Sequence, residues 1–176
     1  LLNRLTAMVF NELWYRKAPK DLKGELQTIS QFFYPLDGIS LWNRIYGPAR
    51  FLQYQFAVPD EAAYLVPRIL QALRQVGAPS FLTVLKRFGK SNPSPLSFPM
   101  PGWTLAADVP ASVSGLYDLL DGLDEEIAKA GGRLYLAKDS RQSAKAFQKC
   151  YQTHKVFSSH AKINGCNKTF NSDLLD

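Results

Sequence analysis

The most regular pattern in the chain lies at residues 51–58, where Phe-Leu-Gln-Tyr-Gln-Phe-Ala-Val alternates with a period of two. In an extended strand Phe51, Gln53, Gln55 and Ala57 face one way and Leu52, Tyr54, Phe56 and Val58 the other. One side is oily and the other presents two amides. The period then changes. Asp60 reads as an N-cap with Glu61 in the first turn, and a helix follows to Val76, ended by Gly77. Residues 81–88 form a second strand and 103–109 a third. Between them the stretch 92–102, with Pro93, Pro95, Pro99 and Pro101, is excluded from regular structure. Ser112 or Ser114 caps a second helix that runs to Ala130 and stops at Gly131-Gly132, and 133–137 is a fourth strand. The order β-α-β-β-α-β predicts an α+β fold of the ferredoxin-like kind. Its four-stranded antiparallel sheet carries both helices on one face. The other face must be covered or used.

The flanks are less regular. Residues 1–17 suit a helix with Leu2, Leu5, Met8, Val9 and Leu13 on one side, ended by Pro19. Residues 27–34, rich in Ile29, Phe32, Phe33 and Tyr34 and stopped by Pro35, predict a strand. A short helix is expected over 38–46, closed by Gly47-Pro48. One more helix is expected over 141–150, and 151–176 reads as a polar, partly helical tail.

Composition narrows the class. With 176 residues, 46% of them hydrophobic and 12% aromatic, the chain has apolar material for one domain and is not a disordered segment. Two cysteines do not make a disulfide scaffold. No apolar run approaches the ~20 residues that span a bilayer. The net charge of +6 permits an anionic partner. The densest basic stretch (Arg16, Lys17, Lys20, Lys23) is broken by Pro19 and Asp21, and reads as solvated surface. The chain opens on Leu1 rather than Met, and is read as a piece of something longer.

Few patterns carry chemistry. Cys150, His154, His160 and Cys166 interleave wrongly for a structural zinc site, so no metal is expected. RNA-recognition modules need aromatics in a defined pattern on two central strands, and 82–89 does not match it, so nucleic acid is not an expected partner. Phosphate-loop, dinucleotide, nucleophile-elbow and zinc-protease motifs do not occur. What stands out is a set of polar residues within apolar strands: Gln53, Gln55, Lys86, Thr104, Asp108 and Lys138. Singly, each lysine reads equally as a strand-end residue reaching water. Lys86 and Lys138 are expected on neighbouring strands, which favours a shared polar site.

Six ordered blocks carry a resemblance. They are Glu12-Leu-Trp-Tyr-Arg-Lys17, Gln31-Phe-Phe-Tyr-Pro-Leu-Asp37 and Trp42-Asn-Arg-x-Tyr-Gly-Pro-Ala49. Phe51-Leu-Gln-Tyr-Gln-Phe56, Pro95-Leu-Ser-Phe-Pro-x-Pro-Gly-Trp103 and Gly131-Gly-Arg-Leu-Tyr-x-Ala-Lys-Asp-Ser-Arg141 follow. From about residue 8 to 150 the chain resembles the C-terminal, substrate half of decaprenylphosphoryl-ribose-oxidase-like enzymes. These are FAD-linked members of the vanillyl-alcohol-oxidase-like superfamily. The resemblance implies a substrate-binding cap over 1–150 and a closing tail over 151–176. FAD would be bound mainly by an N-terminal domain absent from this chain. It further implies oxidation of the C2 hydroxyl of a polyprenyl-phosphoryl ribose by hydride transfer to flavin, with a short-chain reductase as partner. A cytoplasmic, membrane-associated or periplasmic-face location is expected.

Carried over by motif, Lys138 meets flavin and substrate and Tyr135 the cofactor. Gln53, Gln55 and Lys86 line the sugar or phosphate pocket, with Phe33, Leu36, Thr104 and Asp108 around it. Ala106 stands where some members carry Cys, and Thr104 where some carry Asn, so the sugar itself stays open. An aldonolactone-type oxidase cap and a non-catalytic ferredoxin-like binding module remain as alternatives.

Overall fold

The structure is a computed structural model and describes residues 4–21, 23–34, 40–41, 44, 50–78, 80, 82–138 and 141–165. Its centre is one four-stranded antiparallel sheet. Strand β1 (Phe51–Val58) is followed by a 3-10 turn at Asp60–Ala62 and by helix α3 (Leu65–Gln75). Strands β2 (Thr83–Phe88) and β3 (Gly102–Pro110) follow, then helix α4 (Leu116–Lys129), strand β4 (Arg133–Leu134) and helices α5 (Ala144–Cys150) and α6 (His154–Ile163). Before the sheet come helices α1 (Arg4–Lys17) and α2 (Ile29–Phe33). The strand order β2-β3-β1-β4 is that of the expected β-α-β-β-α-β arrangement.

Alternation decides which face is buried. Tyr54, Phe56 and Val58 of β1 and Leu105, Ala107 and Val109 of β3 pack against Leu65, Val66, Ile69 and Leu73 of α3. Leu116, Leu120, Leu123 and Ile127 of α4 complete the same core. Nearly all of these side chains are withdrawn from water, and each large one removed from solvent contributes on the order of 1.5–3 kcal/mol. Two close approaches require glycine. A Cβ on Gly102, at φ +140°, would overlap the Val58 carbonyl, and one on Gly132 would lie 2.7 Å from both the Ala57 carbonyl and Ile127 Cγ2.

Several expectations are corrected. The strand expected over 27–34 is helix α2 where regular, because Thr28 and Gln31 form a capping box that satisfies the first-turn amides locally. Asp60 does not cap α3; its carboxylate takes both terminal nitrogens of Arg87 at 2.7 Å. Neither Ser112 nor Ser114 caps α4, whose N-cap is Gly115 at φ +73°. The fourth strand is shorter than 133–137, because after Tyr135 the chain turns and the Lys138 amide donates to the Tyr135 carbonyl at 3.0 Å. Part of the tail is helical, as α6, and Tyr151 belongs to the core with its hydroxyl on the Leu134 carbonyl at 2.6 Å. The helix expected over 38–46 falls largely outside the described residues.

From Leu5 to Tyr34 every residue whose burial is described is exposed, so α1 carries Leu5, Leu13 and Trp14 on the surface. Among the described residues no helix is long and apolar enough to cross a membrane.

Candidate functional site

The face of the sheet turned away from α3 and α4 is defined by register. Gln53 lies opposite Asp108, Gln55 opposite Ala106, and Ala57 opposite Thr104. On the other side of β3, Val84 is opposite Ala106 and Lys86 opposite Thr104. Directly paired residues share a face, so Gln53, Gln55, Lys86, Thr104 and Asp108 all project from this one. Tyr135 joins them, because its amide donates to the Gln55 carbonyl at 3.0 Å and extends the β1–β4 pairing by one residue.

The same topology corrects one expectation. Lys86 and Lys138 do not come from neighbouring strands. The split crossover inserts β3 between β1 and β2, so β2 and β4 are the two edges of the sheet. Three strand spacings separate those edges, roughly 14 Å in all. Lys86 therefore lies on one edge strand, and Lys138 in the turn that follows the other.

Half of this face is covered. The proline-rich loop after β2 folds back over it, placing Phe98 against Phe88 of β2 (ring centroids 5.6 Å apart) and against Tyr135 (4.5 Å). Phe98 thereby bridges from one edge of the sheet to the other. Arg133 fastens the loop by donating to the Ser97 and Pro99 carbonyls. Thr104 lies in the covered half, 1% exposed, and its hydroxyl donates to the Phe56 carbonyl at 2.8 Å.

The uncovered half holds Gln53, Gln55, Ala106 and Tyr135, all partly exposed. Gln53 Nε2 donates to Asp108 Oδ1 at 2.6 Å and Gln55 Nε2 reaches Thr104 Oγ1 at 3.4 Å. These contacts hold each amide through its nitrogen, and the small Ala106 lies opposite Gln55. Lys86 is exposed at one margin, and Lys138 is exposed in the turn at the other. Of the remaining expected residues, Phe33 stands on α2 at 66% exposure with its ring against Phe32 and Tyr34. Leu36 lies outside the described residues.

A buried polar cluster beneath the site is absent from the sequence reading. Arg141 Nη2 donates to both oxygens of Asp124 (2.9 and 2.8 Å), Nη1 donates to Asp121 at 2.6 Å, and the Tyr54 hydroxyl donates to Asp124 at 2.8 Å. Burial first, then the Asp124 charge and the hydrogen bond to it, hold the Tyr54 phenol well above its usual pKa, so at neutral pH it is a donor. One signal was available: a hydroxyl on the oily side of β1 needs a buried partner. In the tail, Cys150 is buried and His154 Nδ1 lies 2.8 Å from the Tyr151 carbonyl. The described residues contain no cluster of His, Cys, Asp and Glu able to hold a metal ion.

The chain is 46% identical over 151 residues, or 86% of its length, to decaprenylphosphoryl-beta-D-ribose oxidase of Mycolicibacterium smegmatis. It is similar to a segment of that oxidase. The alignment spans 32% of the oxidase. A second relative, described as an uncharacterized protein in the mprA 5' region of Streptomyces coelicolor, is 33% identical over 98% of the chain and 46% of its own length. The chain thus spans less than half the length of both curated relatives. No family model matches it. The resemblance read from the six sequence blocks thus agrees with a relative whose name is that of a decaprenylphosphoryl-ribose oxidase.

Proposed function

We propose that this chain is the substrate-binding cap of an FAD-dependent oxidoreductase that oxidises a sugar hydroxyl, the C2 hydroxyl of a polyprenyl-phosphoryl ribose. The observation that carries the reading is the uncovered half-face of the sheet, where register sets two amides and Lys86 on one face and Lys138 follows in the turn after the far edge strand. The donor set suits a flavin beside a phosphorylated sugar. Tyr135 offers a half-buried ring fixed by Phe98, Gln55 an amide next to it, and Lys138 an exposed ammonium.

Bound FAD would supply the hydride acceptor, and the rest of the longer protein would hold most of it. Gln53 and Gln55 orient the sugar through carbonyl oxygens whose partner nitrogens are already engaged. Lys86 meets the phosphate from the β2 edge. Lys138 places a positive charge where negative charge grows during the reaction. That interaction strengthens toward the transition state, and only such a difference accelerates the step.

The test is Lys138→Ala in the full-length, FAD-loaded protein. The expected result is flavin reduction by substrate slowed by about 100-fold or more, as for loss of one preorganised electrostatic contact. Far-ultraviolet circular dichroism should stay unchanged. Reduction at the parent rate would show that Lys138 is a surface residue and would remove it from the site.

A further inference from the structure

Lys138 sits on a turn, and a positive charge acts in preorganised fashion only if the turn is held. The entry to the turn is fixed by the sheet, through the amide of Tyr135 on the Gln55 carbonyl and the hydroxyl of Tyr151 on the Leu134 carbonyl. A second anchor stands further along the chain. Arg141, three residues beyond Lys138, sends its side chain to the helix-covered side of the sheet, where only 10% of it remains exposed. There its Nη2 meets both oxygens of Asp124 of α4, its Nη1 meets Asp121 at the rim, and it lies 5.6 Å over the Tyr54 ring of β1. Tyr54 holds the same Asp124 by its hydroxyl.

A pair this deeply buried loses hydration on both partners, and a well-packed apolar pair of equal volume often stabilises a fold as well. What the guanidinium adds is direction: Nη2 on both Asp124 oxygens and Nη1 on Asp121 together fix its plane, and with it the backbone that carries it. We propose that Arg141 is a positioning residue, which uses Asp124 and Tyr54 on the buried face to hold in place the turn on which Lys138 stands exposed. The proposal rests on the reading of Lys138 given above.

A double-mutant cycle in the full-length, FAD-loaded protein tests it, comparing the parent, Lys138→Ala, Arg141→Lys and the double variant. Arg141→Lys keeps a cation for Asp124 and removes the second nitrogen that spans to Asp121. Asp121→Ala, at a carboxylate 68% exposed, loosens the same guanidinium without touching the buried pair and serves in case Arg141→Lys does not fold. Two readouts are taken: the rate of flavin reduction at saturating substrate, and amide hydrogen exchange of the peptide covering 134–141.

The expected result for Arg141→Lys is reduction slowed by about 10-fold or more, because small misplacement of a catalytic group is costly. Exchange in the turn should be faster, and the Arg141 change should cost nothing further once Lys138 is Ala. Asp121→Ala gives the same pattern with smaller amplitude. Multiplying effects in the double variant would make Arg141 a general structural residue and overturn the proposal. So would faster exchange with the parent rate of reduction. If Lys138→Ala alone reduces at the parent rate, the reading of Lys138 fails, and faster exchange in Arg141→Lys then reports a turn anchor without catalytic consequence.

Discussion

Glu126 of α4 and Arg68 of α3 meet in a two-pronged pair that ties the helices together above the core, with Arg68 Nε on Glu126 Oε2 at 2.7 Å. The hydrogen bonds from Arg68, ahead of its charge, lower the Glu126 carboxyl below its usual value of 4.5, against a smaller opposing effect of burial. A carboxyl depressed in the folded state contributes stability above its unfolded pKa and loses it as pH falls through its folded pKa. Glu126→Gln is therefore expected to lower the urea midpoint at neutral pH, and the deficit is expected to shrink as pH falls through the lowered carboxyl pKa. A deficit that persists at acid pH would mean that the pair acts through packing rather than charge. Single residues were unevenly legible in the sequence. The facing of Gln53 and Gln55 followed from period two, whereas the partner of Asp60 did not: Arg87 lies 27 positions away and reaches it only because β2 pairs with the β3 strand that borders the end of β1.

At the scale of elements, the turn from α4 into β4 is the tightest joint. Gly132 lies where a side chain would meet the Ala57 carbonyl of β1 and Ile127 of α4 together. Gly132→Ala is expected to destabilise the chain by about 1–3 kcal/mol, as overpacking of a close contact does. Gly131→Ala, where the added carbon meets open space, is strained by its φ of +74° instead and serves as the contrast. Equilibrium urea denaturation of the two variants measures both effects. An unchanged midpoint for Gly132→Ala would show that β4 can shift away from the contact. Helix α2 illustrates the opposite limit. Its Ile, Phe and Tyr content favours a strand, yet five residues under a Thr28–Gln31 capping box become helical, since the local hydrogen bonds need no neighbouring strand.

For the whole molecule, the uneven burial is informative. The core forms from residue 51 onward, while α1 and α2 hold Leu5, Leu13, Trp14, Phe32 and Phe33 on the surface. Under the proposed function the remainder of a longer protein covers part of this surface and supplies the nucleotide-binding elements. The purified 176-residue chain is accordingly expected to be colourless. Stoichiometric flavin absorbance near about 450 nm after mixing with FAD would show that the cap binds the cofactor alone, and would overturn that division of labour.

What the sequence determined by itself is what short-range periodicity encodes: the sheet's strands, the oily and amide sides of β1, and the ferredoxin-like order of elements. The six blocks that carry the resemblance were equally legible. Tertiary structure decided which strands became edges, and so moved Lys86 and Lys138 from expected neighbours to opposite margins of the face. It also folded the proline-rich loop over half of that face and buried Arg141 against Asp124. The reason is physical. Alternation is imposed by the backbone residue by residue, whereas strand order, loop cover and buried ion pairs depend on contacts between positions far apart in the chain, fixed only when the crossover closes and the helices pack.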